Sequence, residues 1–127
     1  MATQTAEGLT VQTESLTSIH WVGIVLAALS GVIHLVLGVS FISDPLGWAF
    51  LIAGVGFLGG AIAVLIDYRR SLMYLLGIPF TAGQIVAWYF VNAPDFSALG
   101  IGDKVAQLIL IGVLIVLYRR ESASTSA

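Results

Sequence analysis

The sequence predicts an all-α, polytopic membrane protein, a bundle of four transmembrane helices. Of its 127 residues, 58% are hydrophobic and only 9% are charged, against roughly 25% charged in soluble domains. The mean hydropathy of +1.00 agrees. A helix needs about 20 residues to cross a hydrocarbon layer ~30 Å thick, and four apolar runs of that order, with short polar links, fill the chain. Strands do not fit, because an open sheet would leave unpaired backbone groups in lipid.

Residues 1–18 are rich in Thr, Ser and Gln, carry only Glu7 and Glu14 as charges, and read as a solvated cytoplasmic tail. No Lys or Arg precedes the first apolar run, which is longer than the core of a secretory signal, so it reads as a mature span. That span covers residues 19–42, with Thr17 or Ser18 as its N-cap, and Ser43-Asp44-Pro45 ends it. The second covers 46–66 and stops at Asp67-Tyr68-Arg69-Arg70. The third covers 71–92, with Pro79 inside it as a kink, and Ala93-Pro94-Asp95 ends it. Residues 96–102 form a half-apolar connection. The fourth span covers 103–118, with Asp103-Lys104 as an N-cap carboxylate and neighbouring cation at its outer start, and residues 122–127 form a second flexible tail.

Both termini and the link at residues 67–70 share one side, which holds Arg69, Arg70, Arg119 and Arg120, whereas Lys104 alone lies on the other. The positive-inside rule therefore predicts a multi-pass protein of the cell membrane with both termini in the cytoplasm. His20, Trp21, Tyr68 and Tyr118, with the four arginines, read as interfacial anchors. A shift of 50 residues lays Tyr68-Arg69-Arg70 on Tyr118-Arg119-Arg120 and His34 on Gln84. This pattern is that of a repeated helical hairpin, or of the basic inner ends common to all such bundles.

Without cysteine there are no disulfides, thiolate metal sites or thiol nucleophiles. A net charge of −2 with five basic residues leaves no field for nucleic acid. No catalytic triad, metal-ligand cluster, phosphate loop or pair of intramembrane carboxylates can be assembled, so no catalytic residue, metal or cofactor is assigned. Polar residues inside spans are costly and therefore informative. By the ~1.5 Å rise per residue, His34, Gln84 and Gln107 stand about 18–21 Å from the arginine ends of their helices, in one layer. Ser30 precedes His34 by one turn, and Trp88 follows Gln84 by one turn. These three residues are expected either to hydrogen-bond one another as interhelical glue or to line a pocket in which His34 exchanges a proton.

His20 and His34 lie 14 residues apart, about 40° short of four full turns, and so share a helix face as haem ligands of b-type cytochromes do. Two axial ligands per haem would then require a homodimer. Gly56 and Gly60 form a GxxxG pair, and Ala27, Gly31 and Gly38 form a small-residue face on the first span. These are expected helix contacts, within the chain or in a homo-oligomer.

The runs HWVGI, GVIHLVLGV, DYRRSLMYLLGIPFTAGQIVAWY and LYRRE, across residues 19–121, resemble small four-span membrane proteins of halophilic archaea, a group of uncharacterised function. Gly31 to Gly38 also resembles a stretch of DoxX-type membrane proteins. The resemblance implies fold and membrane residence but no active site.

The expected function is a non-enzymatic structural or accessory component in the lipid bilayer, alone or in a larger membrane complex. The alternatives are a small binder or carrier, using the His/Gln layer for a quinone-like ligand or for protons, and a haem- or quinone-associated redox subunit.

Overall fold

The computed structural model describes residues 13–126. Helix α1 spans Ser18–Ser40, α2 Pro45–Leu65, α3 Arg70–Asn92 and α4 Ala98–Ser126. All four are long and apolar enough to cross a membrane, so the chain is a four-helix membrane protein. Residues 1–12 of the expected N-terminal tail lie outside the described residues.

The helix starts follow from local chemistry. The Thr17 amide donates to His20 Nδ1 at 3.0 Å, so His20 plays the part that Glu or Gln plays in a capping box. Asp44 caps α2, accepting from the Leu46 amide at 2.8 Å, with Pro45 at the first helical position, where its missing N–H costs nothing. Between α2 and α3 the chain turns tightly, with Asp67 and Arg69 in the left-handed region at φ 56° and 48°. Helix α3 runs through Pro79 without a break.

Three boundaries differ from the sequence reading. Residues 98–102 are helical, so α4 starts five residues before Asp103. Ser97 is its N-cap and accepts from the Gly100 amide at 3.0 Å. At the other end α4 continues beyond Tyr118 to Ser126, because no Gly or Pro stops it. Thr13–Ser15 form a 3-10 turn, and Leu16 packs on the core, so this part of the tail is docked.

Helix α1 packs closely on α2 and also on α4, and α3 packs on α4. The α2–α3 seam is the most sparsely packed of the four. The α1–α2 seam is an antiparallel glycine zipper. A Cβ at Gly31 would stand 3.2 Å from the Gly54 carbonyl oxygen, and one at Gly38 would stand 2.9 Å from that of Gly47. Gly31 and Gly38 thus make the expected contact, but their partners are Gly47 and Gly54. Gly56 instead accommodates Phe80 of α3, whose Cζ would lie 2.6 Å from an added Cβ, and Gly60 has nothing within 4 Å. The GxxxG pair is therefore not a helix seam within the chain.

The core near the arginine end is built from Ile24, Ala61, Val64, Tyr74, Val113 and Leu117. Arg70, expected as a headgroup anchor, is buried there. It donates through Nε to the Val64 carbonyl and through Nη1 to Ser15 Oγ, both at 2.7 Å, and its Nε lies 3.4 Å from Asp67. The left-handed turn directs it inward to hold the docked tail and the end of α2. Trp21, Tyr68, Arg69, Arg119 and Arg120 remain exposed, Tyr118 is half-buried, and Arg69 lies over the Tyr68 ring at 5.4 Å.

Candidate ligand-binding site

The chemistry of the bundle is concentrated in its half away from the arginines. Because α4 begins at Ala98, Asp103 and Lys104 sit about 7 Å inside the helix instead of at its mouth. Both are buried, at 5% and 7% exposure. The reading of this pair as a surface cap is thereby corrected. Charges in such a place must be paired and hydrogen-bonded, and these are. Lys104 Nζ donates to Asp103 Oδ2 and to Gln107 Oε1, each at 2.9 Å. The other carboxylate oxygen, Oδ1, accepts from Ser30 Oγ of α1 at 2.7 Å. The Gln107 amide donates to Oδ2 at 3.2 Å. Helical spacing explains the cluster, since Gln107 stands one turn from both charges.

His34 lies on α1 one turn beyond Ser30 and is 4% exposed. Its Nδ1 is 2.7 Å from the Ser30 carbonyl oxygen, which can only accept, so the proton sits on Nδ1. In the neutral ring this leaves Nε2 with a lone pair. Phe50 and Phe57 flank the ring at centroid distances of 5.8 and 5.5 Å.

Above this floor lies a cavity of about 320 Å³, to which all four helices contribute. His34, Gln84, Asp103 and Lys104 supply polar groups, while Phe41, Phe50 and Trp88 are among its apolar walls. Lys104 spends two of its three N–H donors within the cluster, so one remains. Among the described residues neither His34 Nε2 nor the Gln84 amide has a hydrogen-bond partner, yet the only buried polar side-chain atom without one is Tyr74 Oη. Both groups therefore open onto the cavity. Trp88 stacks on Phe96 at 4.5 Å, and Lys104 approaches the Trp88 ring at 5.9 Å.

The expected layer is thus present but wired differently. His34, Gln84 and Gln107 do not bond one another. Gln107 serves the ion pair, His34 bonds its own helix, and Gln84 faces the cavity. Sequence reasoning missed Asp103 and Lys104 as members of the site. The signals were Ser97 three residues before Gly100 and the spacing of Asp103, Lys104 and Gln107.

A second cavity of about 70 Å³, almost wholly apolar, lies nearer the arginine end between all four helices, with His20 and Tyr74 in its wall. His20 and His34 are about 21 Å apart along one helix by the rise per residue, so one chain does not bring them to a single haem. Among the described residues no three His, Asp or Glu side chains gather as a metal site.

No curated protein and no solved structure matches the chain. Residues 5–118, which include every residue of this site, match a family of unknown function, and the chain belongs to that family, DUF7475.

Proposed function

We propose that the protein is a membrane-embedded binder, without turnover of its own, for a quinone-like molecule held in its hydroxyl form. The observation that carries this reading is the pairing of one acceptor, His34 Nε2, with one remaining donor, on Lys104, at the floor of a cavity walled by aromatic rings. A quinol or phenol oxygen satisfies both: its O–H donates to Nε2, and its lone pair accepts from the ammonium. A quinone has no O–H to offer His34. The Gln84 amide is placed to assist at the ring's other oxygen. The saturated Asp103, Ser30 and Gln107 contacts fix Lys104 so that its donor is held in place before a ligand arrives, which lowers the ordering cost of binding.

The structural reading rests on one feature of the same cluster. Asp103, Lys104, Gln107 and Ser30 tie α1 to α4 without any ligand, as interhelical polar contacts do. In the membrane, the four arginines at one end support an orientation with both termini in the cytoplasm, which opens the cavity toward the outer half of the bilayer. The likeness to halophilic archaeal proteins and to the DoxX type supports membrane residence and assigns no ligand.

The test is anaerobic calorimetric titration of the purified protein with duroquinol and with duroquinone. Duroquinol is expected to bind at least tenfold more tightly, about 1.4 kcal/mol, and His34→Ala is expected to remove that preference in a protein that stays folded. Equal affinity for the two forms, or a preference that survives His34→Ala, would contradict the reading. A fall in melting temperature in His34→Ala, with no binding by the wild type, would favour the structural role.

A further inference from the structure

We infer that the ligand is chain-bearing, and that its apolar chain leaves the cavity sideways into the bilayer through a window between α2 and α3. This rests on the proposed binding of a hydroxyl head at His34 and Lys104, and it names the class: a membrane lipid with a small ring head and a long tail.

The other three helix seams are held by close contacts. The α1–α2 seam is held shut by the glycine zipper, where the backbones themselves are in contact. The α1–α4 seam is tied by Ser30 and Asp103. Between α3 and α4, Trp88 lies against Gly100, with its Nε1 2.6 Å from where a Cβ would stand, and Lys104 lies over its ring. At the end of the bundle the exposed Phe41, Val91 and Leu99 also line the cavity, beside the stack of Phe96 on Trp88, which leaves that end to small molecules arriving from water.

The α2–α3 seam is different. Its main clasp is the edge-on contact of Phe57 with Phe80 at 5.0 Å, where Phe80 seats against Gly56. Both rings line the small apolar cavity, and Phe57 also packs on His34, which lines the large one. Beyond this clasp, on the side of the large cavity, Ala49 stands four residues into α2 and Ala87 five residues before the end of α3, at similar depth. Each is an exposed residue that also lines the cavity. Two small, exposed side chains in the cavity wall, on the two helices that meet least, leave this seam the least obstructed way out at membrane depth. Ile52 and Val86, 71% and 55% exposed, continue the apolar surface on which an emerging chain would lie. A water-soluble ligand would have no use for a lipid-facing window, whereas a chain-bearing one can keep its tail in the bilayer throughout binding and release.

The experiment compares duroquinol, which has no chain, with decylplastoquinol, which has one, on the full-length wild type and on the double variant Ile52→Trp/Val86→Trp. Both positions are exposed and lie outside the cavity lining, so the bulky rings obstruct the path of the chain and leave the head site alone. The wild type is expected to bind both, and the plugged variant is expected to bind duroquinol within about twofold of wild type while losing at least tenfold for decylplastoquinol. Unchanged decylplastoquinol affinity in the plugged variant would overturn the window while leaving the head site standing. Failure of the wild type to bind either molecule would overturn the head site, and the window with it.

Discussion

Asp103→Ala is expected to cost about 3–5 kcal/mol of bundle stability, the cost of leaving one member of a buried ion pair without its counter-charge. The carboxylate receives three hydrogen bonds, from Ser30, Lys104 and Gln107, so its removal strands three donors, one of them an ammonium. Water cannot easily reach them in the membrane interior. The informative companion is the double replacement Asp103→Leu/Lys104→Met, which removes both charges and fills the space with apolar groups. Such swaps are often neutral or stabilising by about 1–4 kcal/mol, so the double variant is expected to recover most of the loss. Reversible unfolding in mixed micelles reads both effects. If the single variant were as stable as wild type, the pair would not be buried as described. Recovery of stability without recovery of ligand binding would separate what the pair does for the site from what it does for the fold.

The second large effect is expected at Gly47. A Cβ there would run into the backbone carbonyl of Phe41 and would also stand 2.9 Å from the Gly38 carbonyl oxygen. Backbone cannot swing away as a side chain can, so α1 and α2 would have to separate near the turn that joins them. Gly47→Ala is therefore expected to cost about 3 kcal/mol, the upper part of the range for overpacking. Gly60→Ala serves as the contrast. Nothing lies within 4 Å of that position, and alanine gives up less backbone freedom in a helix than glycine does, so no loss is expected. The same unfolding measurement checks both, and equal losses at the two glycines would refute the zipper.

These two cases show where the sequence was legible. Helix number and approximate spans followed from hydropathy, and Thr17 marked the first helix start, because length in lipid and capping are local rules, whereas Asp44 and Pro45, read as the end of the first span, also start the second. Gly31 and Gly38 were legible as a contact face, but within the chain they meet Gly54 and Gly47, not Gly56 and Gly60. Spacing alone does not say which stripe of a glycine-rich helix turns inward, and here Gly47 and Gly54, a heptad apart, do so. The candidate site was read with the same limit. His34, Gln84 and Gln107 stood out because polar groups inside an apolar run are costly. Asp103 and Lys104 did not stand out, because a charge pair just after a polar link looks like a helix end. Only the earlier start of α4, set by the Ser97 cap, carries them into the interior. Arg70 was misread for a related reason, since the left-handed residues Asp67 and Arg69 that turn it inward leave no periodic trace.

The central claim is that the floor of the large cavity, His34 with Lys104, holds a hydroxyl-bearing ligand. Native mass spectrometry of the protein taken directly from its own membrane tests this most directly, comparing wild type with Asp103→Leu/Lys104→Met. A bound ring-headed lipid is expected on the wild type and none on the folded double variant. The same adduct on both proteins, or none on the wild type, would contradict it.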